Sequence, residues 1–298
     1  MVRGEGEVQT AGEGEVQTAG EEVVQTAGTL FLVSTPIGNM SDLSARAVAT
    51  FGAVSAVLAE DTRHSRPLLE KHGVSAPLIA YHEHNEAKTT PALVARMLAG
   101  ESFALISDAG TPLLSDPGAR LVRAAIDAGV VVSPIPGASA LLAALVASGI
   151  VADRFTFFGF LERKGKERTA AIREIAELTH TAVLYEAPAR VGETLAAIAA
   201  AGAGAREAVV ARELTKQFEE FRRGTVQSLA ESYQDTAPRG EIVLVIAGAE
   251  LFEPDEETLR TRAQELRGQG LSARDVARVL TEESHAPRNL AYRLAHEK

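Results

Sequence analysis

The chain has 298 residues, 46% of them hydrophobic and 23% charged, the balance of a globular protein of one to three domains with room for a real core. It contains no cysteine, which excludes a disulfide framework, a thiolate zinc site, an iron–sulfur cluster and a cysteine nucleophile. The formal net charge of -10 argues against a broad anion-binding surface.

Much of that charge lies in the first 28 residues, where Arg3 faces six glutamates. Residues 4 to 11 read GEGEVQTA, residues 12 to 19 repeat them unchanged, and 21 to 27 hold a decayed third copy. Such a segment has too little apolar surface to offset its ordering entropy, so 1–28 is expected to be a disordered tail. No run approaches the roughly 18 apolar residues needed to cross a bilayer, and no basic-then-apolar signal peptide opens the chain, so a cytoplasmic location is expected.

From Thr29 onward, β-branched runs alternate with Ala/Leu-rich stretches. Strands are expected at 30–34, 56–60, 103–107, 130–135, 155–160, 182–186, 207–212 and 241–248, with helices at 43–52, 88–99, 117–128, 138–148, 167–178 and 189–201. Alternation of this kind predicts an α/β fold with mainly parallel sheets. The turn-prone Pro134-Ile-Pro136-Gly137 divides the series into an N-terminal α/β domain, 29–136, and a C-terminal one, 137–250. An acidic break at 253–257 precedes a helical appendix, 251–298, ending in a helix, a short turn and a second helix. That tail is locally basic, with seven arginines and Lys298 against five acids after Thr258, and so is the stretch 162–173. Basic islands permit RNA binding at a confined site.

The first strand is followed by Thr35-Pro36-Ile37-Gly38-Asn39 and not by G-x-G-x-x-G, which argues against a dinucleotide site. Gly159 to Glu167 resembles a P-loop only in outline, because five residues separate its glycines and Glu167 stands where Ser or Thr would bind magnesium. Asp108-Ala-Gly110-Thr111-Pro112 places an acid beside a glycine at a strand's carboxyl end, suited equally to a turn or to ligand hydroxyls; Ser115-Asp116-Pro117-Gly118 reads as the start of a helix. In Asp61-Thr-Arg63-His-Ser-Arg66, Thr62 is a candidate cap and the two arginines share a helix face, poised for a phosphate or neutralised by Glu60 or Asp61. His82-Glu83-His84-Asn85-Glu86 lacks metal-ligand spacing and reads as a loop lining a polar cleft or facing solvent. Tyr185-Glu186-Ala-Pro-Ala-Arg190 and Arg212-Glu-Leu-Thr-Lys216 end strands and face either a cleft or local ion pairs.

Nine segments in this order, STPIGN, AEDTRHSRPLL, YHEHNE, SDAGTPLLSDPG, PIPGASA, FFGFLERKGKER, YEAPAR, ARELTKQFEE and RGEIVLVIAG, resemble the motifs of the ribosomal small-subunit RNA (cytidine 2′-O-)methyltransferases, members of the tetrapyrrole methylase superfamily. The resemblance runs from about Thr29 to Gly248, and the helical appendix resembles that family's C-terminal extension. It implies two α/β domains of the tetrapyrrole methylase type with S-adenosylmethionine in the cleft between them, in a homodimer acting on 16S ribosomal RNA, with no metal. Carried over residue by residue, Pro36, Ile37, Asp108, Gly110, Thr111, Pro112, Ser139, Ala140, Tyr185 and Ala211 would hold the cofactor. By residue type, Glu83, Glu86 and Glu186 are the candidate bases or orienting groups, and Arg63, Arg66, Arg190 and Lys216 the candidate grips on RNA phosphates. Two other functions compete: a methylase of a porphyrin-like macrocycle, which the DTRHS and YHEHNE segments and basic appendix disfavour, and a non-catalytic RNA-binding protein, which leaves the Asp108 loop unexplained.

Overall fold

A computed structural model describes residues 27–249, 255–284 and 286–297. Residues 1–26 of the repeat tail, and the acidic break as far as Pro254, lie outside them. The N-terminal half contains β1 (Thr29–Val33), α1 (Ala45–Ala53), β2 (Ala56–Ala59), α2 (Thr62–Lys71), β3 (Leu78–Ala80), α3 (Glu86–Leu98), β4 (Phe103–Ile106), α4 (Ala119–Asp127) and β5 (Val131–Ile135). Its five strands form one wholly parallel sheet in the order β3-β2-β4-β1-β5. Both faces are covered, as a parallel sheet requires. Val33, Val57, Ala59, Ala104 and Ile106 pack with Ala47 and Phe51 of α1 and Leu68 and Leu69 of α2; Leu30, Leu58, Phe103 and Leu105 pack with residues of α3 and α4.

The C-terminal half contains α5 (Ala140–Ser148), β6 (Phe155–Phe160), α6 (Lys166–Glu177), β7 (Thr181–Glu186), α7 (Val191–Ile198), β8 (Glu207–Arg212), β9 (Glu220–Thr225), α8 (Val226–Ser232) and β10 (Ile242–Ile246). Its sheet, β6-β7-β10-β8-β9, is mixed, which corrects the expectation of mainly parallel pairing: only β6 and β7 run parallel, and β10 is antiparallel to both β7 and β8. β9, absent from the expected strands, is a charged edge strand (EFRRGT) with no fully buried residue and little apolar alternation. One face packs under α6, α7 and α8, while the other packs against α5 and, from the N-terminal half, Ile37. The last segment, α9 (Glu256–Gly268), α10 (Ala273–Ser284) and α11 (Arg288–His296), encloses its own apolar cluster around Leu259, Leu266, Val276, Leu280 and Leu294.

Two boundaries move. Gly28, placed in the tail by composition, is buried, donates its N–H to the Met97 carbonyl at 2.8 Å and lies against Glu101. The helix expected at 117–128, with its start signal at Ser115 to Gly118, begins at Ala119, capped by Gly118 without a side-chain bond, because the preceding residues turn twice through left-handed conformations, Leu113 at φ 74° and Ser115 at φ 70°. Gly118 itself has φ 129°, and a Cβ there would come within 2.6 Å of Leu105 Cδ2. Replacing Gly118 with Ala should therefore cost about 1–3 kcal/mol of stability from backbone strain and core displacement, seen as a lower urea midpoint at an unchanged m-value; an unshifted midpoint would mean that the loop relaxes freely.

Candidate active site

The chain leaves the adjacent central strands β1 and β4 in opposite directions across the sheet, β1 leading to β2 and β4 to β5, and ligand sites in α/β sheets gather at such carboxyl ends. The two exit loops are bridged by a reciprocal pair of backbone bonds, Thr35 N–H to the Gly110 carbonyl at 2.8 Å and Gly110 N–H to the Thr35 carbonyl at 3.1 Å. Thr35 Oγ1 also donates to the Ser107 carbonyl at 3.3 Å. The Thr111 hydroxyl lies 3.0 Å from that of Ser34 and donates to the Ala138 carbonyl at 3.2 Å, tying both loops to the segment that enters the C-terminal half. Farther along, Asn39 N–H donates to Thr215 Oγ1 at 3.1 Å.

These loops border a cleft of about 350 Å³ between the halves. From the N-terminal side it is lined by Ile37, Asp108 to Thr111 and Leu114 to Asp116; from the C-terminal side by Ala140, Phe160, Tyr185 to Pro188, Leu214 and Gly240 to Val243. Among the described residues, its lining includes the acids Asp108, Asp116, Glu186 and Glu241 but no lysine or arginine. Tyr185 stacks edge-on to Phe157 at 4.9 Å and tilts against the exposed Phe160 at 5.5 Å, and burial raises its phenol above the usual range. Non-glycine residues with positive φ cluster at the rim: Leu113, Ser115, Glu213 and Thr215. Strain of this sort persists where surrounding contacts hold it. A second hollow of about 300 Å³ adjoins the cleft at Asp108 and runs along the start of α2, past Pro36, Met40, Arg63 and His64.

Of the residues expected to hold a cofactor, Ile37, Asp108, Gly110, Thr111, Ala140 and Tyr185 line the cleft. Pro36 lines the adjoining hollow, Pro112 is buried in the loop, Ser139 caps α5 by accepting from Leu142 N–H, and Ala211 is fully buried between the two halves. The expected bases and RNA contacts are more scattered. Glu83 is exposed beyond the edge strand β3, and Glu86 begins α3, where it pairs with Arg120. Neither lines the cleft.

Glu186 is a structural acid and not a free base. Its side chain is fully buried, one oxygen accepting from Ala187 N–H at 2.8 Å and Arg190 Nε at 2.6 Å, the other from the Thr194 hydroxyl at 2.6 Å. Arg190, expected to grip phosphate, is committed to Glu186 and also donates to the Leu161 carbonyl. Lys216 pairs with Glu213 at 2.9 Å and Glu241 at 3.0 Å, and this ammonium holds the Glu213 carboxyl below the usual carboxylate range. Arg63 meets Asp61 through two side-chain bonds, which lower the Asp61 carboxyl to about 2. Asp61, and not Thr62, caps α2, accepting from Arg63 N–H. Of the four expected phosphate contacts, Arg66 is exposed and has no carboxylate partner among the described residues.

Sequence reasoning missed Leu114, Asp116, Phe160, Leu214 and the Gly240–Val243 strand entry. Asp116 was hidden inside a helix-start signal. Gly240, with φ 88°, allows the Glu213 carboxylate to lie where a Cβ would stand.

The model of the tetrapyrrole (corrin/porphyrin) methylases matches residues 29–230. The chain belongs to that family. It is 44% identical to the ribosomal RNA small subunit methyltransferase I of Synechocystis over 90% of this chain and 97% of that protein, and 39% identical to the protein of the same name from Bacillus subtilis over 90% and 94%. Similar solved folds include a uroporphyrin-III C-methyltransferase from Thermus thermophilus complexed with S-adenyl homocysteine, with a TM-score of 0.54 at 18% identity over 74% of this chain and 97% of that one. A conserved hypothetical protein from Aeropyrum pernix has a TM-score of 0.61 at 17% identity over 76% and 86%. This methylase thus carries its family's fold around an acid-lined cleft.

Because Glu186 is buried and accepts on both oxygens, Glu186→Ala should lower stability by about 3 kcal/mol by leaving Arg190 and Thr194 without their partner, with the loss of methylation following the loss of folded protein in circular-dichroism melts. A fully stable but inactive variant would instead put Glu186 in the chemistry.

Proposed function

We propose that this chain methylates a cytidine ribose 2′-hydroxyl in 16S ribosomal RNA, using S-adenosylmethionine bound in the cleft between its halves. The observation that carries this reading is the lining of that cleft. Of its four acids, Glu186 is buried against Arg190 and Glu241 is paired with Lys216, which leaves Asp108 and Asp116 without a lysine or arginine partner among the described residues; these two carboxylates repel a phosphate and attract the cationic sulfonium and ammonium. The apolar Ile37, Leu114, Ala140, Leu214 and Val243 suit an adenosine body, and Asp108 is placed to accept from ribose hydroxyls. When bound, S-adenosylmethionine supplies an electrophilic methyl group; the protein aligns the acceptor, excludes water and receives the acceptor's proton.

The relatives' name supports small-subunit ribosomal RNA over a macrocycle. So does exposed Arg66 on α2, beside the hollow at the cleft's edge. A ribosomal RNA substrate is consistent with a cytoplasmic protein, and no helix among the described residues is long and apolar enough to cross a membrane.

The decisive experiment gives the purified chain S-adenosylmethionine and small-subunit RNA from a strain lacking the modification, then maps ribose methylation by mass spectrometry; transfer only to a porphyrin-like macrocycle would overturn the reading. Asp108→Ala should weaken S-adenosylmethionine binding about 10- to 100-fold, the loss of a charged hydrogen-bond acceptor, while the exposed position preserves the fold. An unchanged dissociation constant in calorimetry would make the loop purely structural.

Homodimerisation is part of the same proposal. α5 is apolar all round: Leu141, Ala144 and Leu145 pack inward, but Leu142 and Val146 are 51% and 75% exposed and followed by exposed Val151. Val146→Asp should convert a dimer to a monomer in light scattering; a monomeric wild type would refute this interface.

A further inference from the structure

The four carboxylates of the cleft are not equivalent. Glu186 uses both oxygens internally, Glu241 is largely exposed and paired with Lys216, and Asp108 accepts the Asp61 N–H at 3.2 Å. Asp116 is only partly exposed and has no lysine or arginine partner among the described residues. The backbone around it is tightly specified. Leu113 and Ser115 are left-handed before it and Gly118 after it, and Gly159 on β6, with φ 61°, leaves room for the Ser115 hydroxyl, which a Cβ there would approach to 2.9 Å. Leu113 and Ser115 hold a conformation that non-glycine residues keep only where their surroundings fix it, so this loop holds its acid over the cleft.

The charges around Asp116 favour its protonated form. Burial raises its carboxyl above the usual carboxylate range, and neighbouring Asp108 raises it further, while the Ser107 hydroxyl acts in the opposite sense. Glu60, after β2, is raised by burial and by Asp108 and Asp116, with His82 opposing, and Tyr185 on β7 faces Asp116 from the other half. A carboxylate held among acids takes up a proton more readily than one beside a cation.

We propose that Asp116 is the catalytic base that takes the proton from the acceptor ribose 2′-hydroxyl. This rests on the methyl transfer proposed above. In that transfer the hydroxyl oxygen forms a bond to the methyl carbon, the sulfur–methyl bond breaks with its electron pair going to sulfur, and the hydroxyl proton passes to an Asp116 carboxylate oxygen. The sulfonium charge is discharged and the carboxylate becomes neutral, so atoms and charge balance. Glu83 and Glu86 lie outside the cleft, and the Glu186 carboxylate is fully buried and ion-paired with Arg190.

Asp116→Asn, nearly isosteric, tests the assignment in the full-length protein with S-adenosylmethionine and unmodified small-subunit RNA. The single-turnover rate should fall about 100-fold or more, while S-adenosylmethionine affinity by calorimetry stays within about threefold of wild type and the melting temperature is kept. Asp116→Glu should recover part of the rate. In the wild type the rate should climb with pH as the raised carboxyl ionises and then level off, and Asp116→Asn should lose that acid limb. Carboxyl-carbon NMR of the free protein provides a readout independent of turnover: one aspartate resonance should titrate above the usual range and vanish in Asp116→Asn. A variant rate within about threefold of wild type overturns the proposal, as does donor affinity falling in step with rate. Should Asp116→Asn fail to fold, the wild-type profile decides, and a rate flat from about pH 5 to 8 overturns it. A wild type that methylates no RNA refutes the proposed function itself, a result distinct from any of these.

Discussion

The reciprocal bonds between Thr35 and Gly110 hold the exit loops of β1 and β4 together, and the cleft depends on that junction. Both loops leave the same end of a parallel sheet, where backbone groups have run out of ladder partners. By pairing with each other they turn two floppy exits into one floor. Gly110 at φ 81° makes the turn, and a Cβ there would crowd Ile37, the residue that reaches from this floor into the core of the second half. Through Thr111 and the Ala138 carbonyl the same floor fixes the chain where it crosses over. The relative position of Asp108 and Tyr185, one from each half, therefore follows from a handful of short bonds and not from a large apolar interface.

The second sheet completes the site in a different way. Its central strand β10 is buried throughout and antiparallel to both neighbours, so the loop entering β10 meets the ends of β7 and β8 on the same side. That is how Gly240–Val243, Tyr185–Pro188 and Leu214 reach one wall despite wide separation in sequence. The Glu186–Arg190–Thr194 cluster stiffens this wall from beneath, and the Glu213–Lys216–Glu241 cluster closes its edge. Both clusters pair residue types that resemble catalytic or phosphate-binding groups, yet each member already has a partner.

That distinction explains what could be read in advance. Strand and helix alternation, the crossing near Pro136 and the loop at Asp108 are local patterns, visible as periodicity and turn chemistry. β9 escaped because a charged edge strand has no alternating apolar face, and the mixed order of the second sheet escaped because strand direction is decided by partners far along the chain. Among the site residues, Asp108 and Tyr185 announced themselves by position at strand ends. Glu186, Arg190 and Lys216 did so too, but residue type cannot tell an acid that faces a ligand from one that faces an arginine four residues on. Asp116 failed in the opposite sense, since Ser-Asp-Pro-Gly is an ordinary helix-start pattern and only the left-handed turns at Leu113 and Ser115 divert it into the cleft.

Among the described residues, the absence of lysine and arginine from the lining also bears on turnover. In the transfer proposed above, Asp108 and Asp116 attract a donor because it carries a positive sulfur, and that charge disappears when the methyl group leaves. The spent thioether then keeps its shape complementarity but loses its Coulombic hold, which in a partly dry cleft is worth more than in bulk water. In that proposed transfer, the sign of these two acids would thus favour the exchange of by-product for fresh donor.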